Sequence, residues 1–432
     1  MTSAPESSPT RRWSLREHLR VPLHVNALAL ATSAGLTAVL GLVYWAVAAR
    51  SYTPAEVGTQ SALLSATLLV GGMAEIGVSS VLIRFLPVAG RDGRRLSARL
   101  YTAAAVAGLV AAGVFALGTN LWSPALRFVR TDGWWFAAFV VSTVFASIYS
   151  IQDSVLTGLR RAPWVPVENG LASLLKIALL LVFATFAGSA GIFASWNAST
   201  GVAVLVITTL VFGRLLTADD PRPGRLPGRG TLARYMLGNY GGSLFALAAI
   251  NATPLIVINR LGAEAAAHFF VPWAIFNGLQ LLATAISYSL IVEAAAAEHE
   301  TVPLFRRAIA QTLLTLVPIS AVLVFLGPWL LGLLGHGYSV GGGPLLRWLA
   351  AAAVPAAAVP MSITLVRLRN RPGLVIAIQA SWSVSILVGS YIALGRTGLE
   401  GTGIAAFATA VVLAVVLGMT VLRPVLRPRT AA

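Results

Sequence analysis

The sequence predicts an all-α integral membrane protein, built as two six-helix bundles related by a parallel pseudo-two-fold repeat, with both termini cytoplasmic. Three observations predict it. Of the 432 residues, 57% are hydrophobic and only 11% charged, where a soluble domain averages about 25% charged residues. Apolar stretches long enough to cross a bilayer as helices recur along the whole chain. Finally, the arginines gather on alternate connections between those stretches.

Taken in order, residues 1–24 form a basic cytoplasmic tail carrying Arg11, Arg12, Arg16 and Arg20. Ala46-Val47-Ala48 has the form of a signal-cleavage site, yet the apolar run before it, residues 25–48, exceeds the 7–15 residues of a signal h-region and reads as a retained first span. Further spans are expected near 58–87, 99–121, 134–157, 165–187 and 190–214, which complete an N-terminal bundle over 25–215. A cytoplasmic linker, 216–232, follows; Asp219-Asp220-Pro221-Arg222-Pro223-Gly224 and Pro227-Gly228 break helices there. The C-terminal bundle, 233–422, holds spans near 233–258, 265–292, 307–334, 344–366, 373–394 and 402–422, and a basic tail occupies 423–432.

With the N-terminus inside, 23 of the 31 basic residues fall on cytoplasmic segments and six on outer ones, and two, Arg84 and Lys176, lie within spans. That bias satisfies the positive-inside rule in one orientation only. It also accounts for the net charge of +16 without nucleic acid, because the charge sits in short loops between apolar runs. The chain has no cysteine, and its five histidines have no ligand spacing, so no metal or cofactor is expected. The two halves echo each other weakly. Arg50 and Ala55-Glu56 correspond to Arg260 and Ala263-Glu264 at offsets of 210 and 208, as in transporters built from parallel repeats.

The polar residues inside spans carry the functional reading. Lys176 is the only lysine in the chain. It lies roughly 18 Å along the fifth span, close to the middle of a hydrocarbon layer about 30 Å thick, where a cation is costly and marks a functional site. Asn169, Ser173 and Lys176 follow i, i+4, i+7 spacing and form one stripe, while Glu168 lies roughly 80° around from Lys176 and suits a partner on a neighbouring helix. In the second span Glu75 is a candidate for proton or cation binding or for hydrogen-bonded packing; Arg84 points to its opposite side on a straight helix, with snorkelling to lipid phosphates as the plain alternative. Thr143, Ser147, Ser150 and Ser154 form one face of the fourth span, which suits either helix packing or a polar lining. In the seventh span Asn239, Tyr240, Ser243, Asn251 and Thr253 precede Pro254, which is expected to free a carbonyl and kink the outer third; Gln379, Trp382 and Ser383 of the eleventh are cavity candidates.

The stretch Ala48-Ala49-Arg50-Ser51-Tyr52-Thr53-Pro54-Ala55-Glu56-Val57-Gly58, continuing to Gly77-Val78-Ser79-Ser80-Val81-Leu82-Ile83-Arg84, resembles the polysaccharide-biosynthesis (oligosaccharide flippase) family of the multidrug, oligosaccharidyl-lipid and polysaccharide (MOP) exporter superfamily. Leu174-Leu175-Lys176, Arg260-Leu261-Gly262-Ala263-Glu264 and Leu334-Gly335-His336-Gly337-Tyr338 resemble its pattern too. The resemblance implies a V-shaped lumen opening alternately to either side of the plasma membrane. It further implies a polyprenyl-diphosphate-linked oligosaccharide as substrate, with glycan polymerases or glycosyltransferases as working partners. Lys176 and Arg84 become the diphosphate candidates, Asn169, Ser173 and Asn251 the sugar-binding candidates, and Glu75 and Glu168 the ion-coupling candidates. A cation-coupled drug exporter of the same superfamily is the nearest alternative. A membrane-embedded glycan polymerase or ligase is the enzymatic one, disfavoured by the short outer loops.

Overall fold

The computed structural model describes residues 22–423 apart from 187, 217–223, 225, 297–300 and 370. The tails 1–21 and 424–432, and residues 217–223 and 225 of the linker expected at 216–232, therefore lie outside the described residues. Everything regular in the described chain is helical. The main helices are α1 (Pro22–Ser51), α2 (Pro54–Ala74), α3 (Val78–Phe85), α4 (Gly93–Leu117), α5 (Gly133–Gly158), α6 (Val165–Phe183), α7 (Gly191–Leu210), α8 (Arg229–Ala296), α9 (Thr301–Gly332), α10 (His336–Ala356), α11 (Ala358–Leu368), α12 (Pro372–Thr397) and α13 (Glu400–Thr420). Among the described residues ten helices are long and apolar enough to cross a membrane, which makes this a multi-pass membrane protein.

The difference from the twelve spans read in the sequence has two sources. The apolar part of α1, Gly35–Ser51, counts as a shorter helix. More importantly, one of the ten runs unbroken over 58 residues, Gly230–Ser287. At 1.5 Å per residue such a rod would reach about 87 Å, nearly three times the hydrocarbon thickness. It does not run straight, because Gly262 has φ 85° and ψ −178° and turns α8 back on itself. Those angles belong to a region that only glycine enters without strain. Pro254, expected to kink the outer third, sits inside the helical arm, and the break falls eight residues later.

The turn between α1 and α2 is built differently. Thr53 Oγ1 accepts from the Glu56 backbone amide, the Glu56 carboxylate accepts from the Thr53 amide at 2.9 Å, and Pro54 occupies the first helical position. This capping box starts α2 three residues after α1 ends. The second sequence span, by contrast, is not one helix: α2 stops at Ala74, and Ile76 (φ 47°) and Gly77 (φ 75°) turn the chain before α3.

Helices α1–α7 pack mainly on one another, as do α8–α13, and α2 against α8 forms the seam between the sets. At that seam Gly58 is indispensable: a Cβ would stand 1.7 Å from the Ala263 carbonyl oxygen. A small residue here lets two backbones meet, the usual basis of close helix packing in membranes. The buried apolar residues then show how the sets are joined. Toward the Ser51 end one continuous cluster spans both, from Tyr44, Trp45 and Leu63 to Phe269, Trp273 and Leu349. Toward the opposite end it divides. Val78, Leu82, Leu100, Ile151 and Val211 form a separate core among the first helices, and Phe305, Met361, Leu365, Val375 and Leu417 another among the last.

Polar contacts close the Ser51 end as well. Arg50 donates to the Leu333 carbonyl from Nε at 3.2 Å and Nη2 at 2.8 Å. Asn259 accepts from the Ala125 amide at 3.0 Å and donates to Ser123 Oγ at 3.1 Å. Trp45 and Phe270 pack with centroids 4.3 Å apart. Arg260, equated with Arg50 by the repeat, instead lies 3.7 Å above the Tyr391 ring within its own set.

Replacing Gly262 by alanine is expected to destabilise the protein by about 1–3 kcal/mol, the cost of a side chain in that backbone region. Thermal unfolding in detergent checks this, with Gly113→Ala as control. Gly113 lies in α4, where an added Cβ would meet nothing within 4 Å, and its replacement should leave the midpoint level or raise it.

Candidate functional site

Helix α6 begins with Pro166 in its first turn and Glu168 close behind, both favourable at a helix N-terminus. Val167, Leu171, Leu174 and Leu181 are exposed along one face, which is the face presented to lipid. Lys176 lies about 200° around from Leu174 at 100° per residue, on the face turned into the protein. Asn169, Ala172, Ser173 and Leu180 are buried on that same side. The stripe drawn from sequence spacing therefore points inward, at α1, α5 and α7.

The stripe nevertheless serves two separate environments. Lys176, half-buried, holds its Nζ 3.5 Å from the centroid of the Trp196 ring and 5.8 Å from that of Tyr44. Tyr44 is fixed in turn: its hydroxyl donates to the Ile192 carbonyl at 2.8 Å and shares a 2.9 Å bond with Ser195 Oγ. Its ring meets Trp45 and Trp196 edge-on, each at 5.4 Å. No ion pair to Lys176 is present among the described residues. The position also shifts relative to the sequence reading. α6 ends at Phe183, so Lys176 lies eleven residues from its start and seven from its end, beyond its midpoint toward the Ser51 end.

About 10 Å further along the helix axis, Asn169 organises a second group. Its Nδ2 donates to Ser33 Oγ at 3.0 Å and to both Asp153 carboxylate oxygens at 3.3 and 3.2 Å, while its Oδ1 accepts from the Tyr149 hydroxyl. Glu168 adjoins this group and interacts electrostatically with Asp153, Tyr101 and Tyr149. It is 7% exposed, and neither of its carboxyl oxygens has a hydrogen-bond partner among the described residues. Two carboxyl groups, an amide, two phenols and the Ser33 hydroxyl thus converge between α1, α4, α5 and α6.

Sequence reasoning missed Asp153, Tyr149 and Ser33. Tyr149 and Asp153 stand four apart on α5 and share a face, a signal that was present but obscured by the hydroxyl stripe beside it. That stripe is a packing surface. Ser147 donates to the Ala104 and Val144 carbonyls, Thr143 to that of Phe139, and Gly71 and Gly108 approach the same stretch of α5.

The other sequence candidates are dispersed. Glu75 follows the last residue of α2 and accepts from the Ser79 amide at 3.2 Å, so it caps the break that a straight helix would not have. Arg84 is exposed, with its guanidinium 4.9 Å from the Tyr235 ring of α8 and 5.7 Å from Phe85. It shares no partner with Lys176. Ser173 is buried within α6, beside the Ala172 carbonyl that accepts from Ser199 at 2.5 Å. Asn251 is buried and donates to the Leu247 carbonyl of its own helix at 3.1 Å. No His, Asp or Glu cluster suited to a metal occurs among the described residues.

No family model matches the sequence, and no curated protein matches it. Solved structures do match its fold. A MOP superfamily transporter from Pyrococcus furiosus, described as having a binding pocket of reverse polarity that suggests a different function, aligns over 94% of this chain and 96% of its own, at 14% identity and a TM-score of 0.62. A multidrug resistance MATE family transporter of the MOP superfamily aligns in its inward-facing conformation over 94% and 97%, at 16% identity and a TM-score of 0.60. In its outward-facing conformation the coverage is 94% and 96%, with 16% identity and a TM-score of 0.58. The chain shares the fold of MATE transporters of the MOP superfamily.

Removing the Asn169 side chain leaves Asp153, Tyr149 and Ser33 without their common partner. Asn169→Ala is expected to cost about 1–3 kcal/mol, the cost of buried polar groups left unmet. Thermal unfolding of the purified protein measures it, with Leu171→Ala on the lipid-facing side expected to move the midpoint far less.

Proposed function

We propose that this protein is a carrier that moves a polyprenyl-diphosphate-linked oligosaccharide from the inner to the outer leaflet of the plasma membrane by alternating access, with the Ser51 end outside and both termini cytoplasmic. One observation carries the reading: the only lysine of the chain faces inward from a spanning helix and is held by aromatic rings in place of a carboxylate. A cation–π contact is worth about 0.5–2 kcal/mol. A charge-assisted hydrogen bond to phosphate, by contrast, is short and strong. An arriving diphosphate would draw Lys176 off the Trp196 face, whereas a carboxylate partner would have opposed the exchange. Phosphates and sugars need such a polar route because hydrocarbon cannot solvate them, while the polyprenyl tail can stay in lipid.

The fold supports the alternation. The buried core is shared at the Ser51 end and falls into two clusters at the other, so opening to the inside would part the contact of α3 with the start of α8. Asp153, bonded to Asn169, and Glu168, which interacts with Asp153 through charge alone, supply the place where a proton or a cation would couple to the cycle. The same carboxyl pair favours a second reading, a cation-coupled exporter of organic cations. Cargo charge separates the two readings, since Lys176 attracts an anion and repels a cation.

Reconstituted flipping of a fluorescent polyprenyl-diphosphate oligosaccharide tests the proposal. Lys176→Ala should lose tenfold or more of the rate; full retention would sink the role given to this lysine. Asp153→Asn should abolish stimulation by an imposed proton or sodium gradient while leaving gradient-free exchange measurable. An organic cation transported by both the wild type and Lys176→Ala, with no flipping of the lipid-linked sugar, would establish the exporter instead.

A further inference from the structure

The second set of helices contains a cavity that none of the residues above explains. It lies between the two arms of α8 and helices α10, α11 and α12. Its walls draw on two of the cores: Trp273, Phe276 and Ile386 belong to the cluster shared by both sets, Val359 and Ile363 to the one confined to the last helices. Trp382 packs against both clusters. The cavity therefore opens where the common core divides.

Its polar lining has a consistent chemistry. Asn277, Gln280 and Gln379 bring three amides, Thr284 and Thr364 two hydroxyls, and Trp273 and Trp382 two indoles. No aspartate or glutamate lines it, and Arg367, the lone cationic residue on its wall, already engages a neighbour. Two of the amides are held in place: Asn277 Nδ2 donates to the Trp273 carbonyl at 2.8 Å and Gln280 Nε2 to that of Ala353 at 3.2 Å. Gln379 Oε1 is buried and meets no donor among the described residues. Trp273 is fixed as well. Pro254 lacks the amide that would bond the Ile250 carbonyl one turn earlier, and the Trp273 indole N–H fills that vacancy at 2.9 Å.

We propose that this cavity is a subsite for neutral sugar units, a proposal that rests on the lipid-linked glycan reading and adds which surface holds the glycan. Sugar hydroxyls donate and accept at once, and amides and threonine hydroxyls answer in both senses. The partly exposed Trp382 indole can cover the apolar C–H face of a pyranose, while Trp273, stacked between Phe269 and Phe276, forms the fixed wall behind it. Gln379 Oε1 gains the donor it lacks. A lipophilic cation would find no carboxylate here, and a diphosphate would find no uncommitted cation. In this arrangement the two ends of the cargo are read on opposite sides of the α2–α8 seam, charge by Lys176 and hydroxyls by the amide-lined cavity.

Binding of free sugars, which lack both phosphate and lipid, isolates the subsite. Full-length protein in nanodiscs is titrated by saturation-transfer difference NMR with free gluco-, galacto-, manno- and N-acetylhexosamine trisaccharides, and with tetraphenylphosphonium. At least one trisaccharide should bind, and Gln379→Leu and Asn277→Ala should each weaken it about tenfold, the loss of roughly one hydrogen bond's worth of affinity. Asn277→Ala stands in if Gln379→Leu does not fold. Binding of no trisaccharide, unchanged binding in the variants, or variant-sensitive binding of tetraphenylphosphonium alone overturns the subsite. Flipping of the lipid-linked substrate by wild-type protein reports separately on the wider reading. Flipping without sugar binding discards the subsite and keeps the carrier, and sugar binding without flipping keeps the subsite and discards the carrier.

Discussion

The meeting of Gly58 with the Ala263 carbonyl sets the rest of the architecture. Because that contact admits no side chain, α2 and the returning arm of α8 touch backbone to backbone. The Gly262 turn delivers Ala263 to that point, and the Thr53–Glu56 capping box starts α2 at the matching height. Around it the aromatic and aliphatic residues of both helix sets merge into one core. Away from it the buried residues fall into two separate cores, and α8 keeps to the first set through Tyr235 and Met236, which lie against Arg84, Phe85 and Gly77. A seam whose buried core is continuous at one end and split in two at the other is the asymmetry on which the proposed alternation rests.

Within this frame the intramembrane polar groups are distributed by what can satisfy them. Lys176 is met by π-faces, Asp153 by the Asn169 amide, and the Ile250 carbonyl released by Pro254 by an indole from the other arm of α8. Groups satisfied in this way lock helices together, since hydrocarbon supplies no competing partner. Glu168 and Gln379, like Gln60 and Gln152, depart from that pattern, with buried oxygens that meet no donor among the described residues. A buried acceptor without a donor is costly. Glu168 lies where ion coupling is proposed and Gln379 in the wall of the proposed sugar subsite.

Much of this was legible in the sequence, for definite reasons. Charge scarcity and span length identify an all-helical membrane protein, because hydrocarbon tolerates few alternatives. The inward direction of Asn169, Ser173 and Lys176 follows from helical spacing, and the free carbonyl from the proline rule. Tertiary pairing was not legible. Periodicity aligns residues on one helix but cannot say that Asn169 meets Ser33 and Asp153, which stand 136 and 16 residues away. Nor does hydropathy mark the break at Ile76–Gly77, because the apolar run continues through it. Spacing alone consequently sets Glu75 and Arg84 on opposite sides of one straight helix, when Glu75 caps a break and Arg84 lies on Tyr235 from the separate helix beyond it.

The claim most in need of direct measurement is that the two helix sets rock about the α2–α8 seam. The chain has no cysteine, so spin labels can be placed without background. Exposed Arg127 and Arg396 report on the Ser51 end, and exposed Arg161 and Arg369 on the other. Double electron–electron resonance on Arg127→Cys/Arg396→Cys and Arg161→Cys/Arg369→Cys in nanodiscs should give a narrow, short first distance and a longer, broader second one in the resting protein. A lipid-linked substrate together with an ion gradient should lengthen the first and shorten the second. Two distance distributions that stay fixed under every condition would contradict the account.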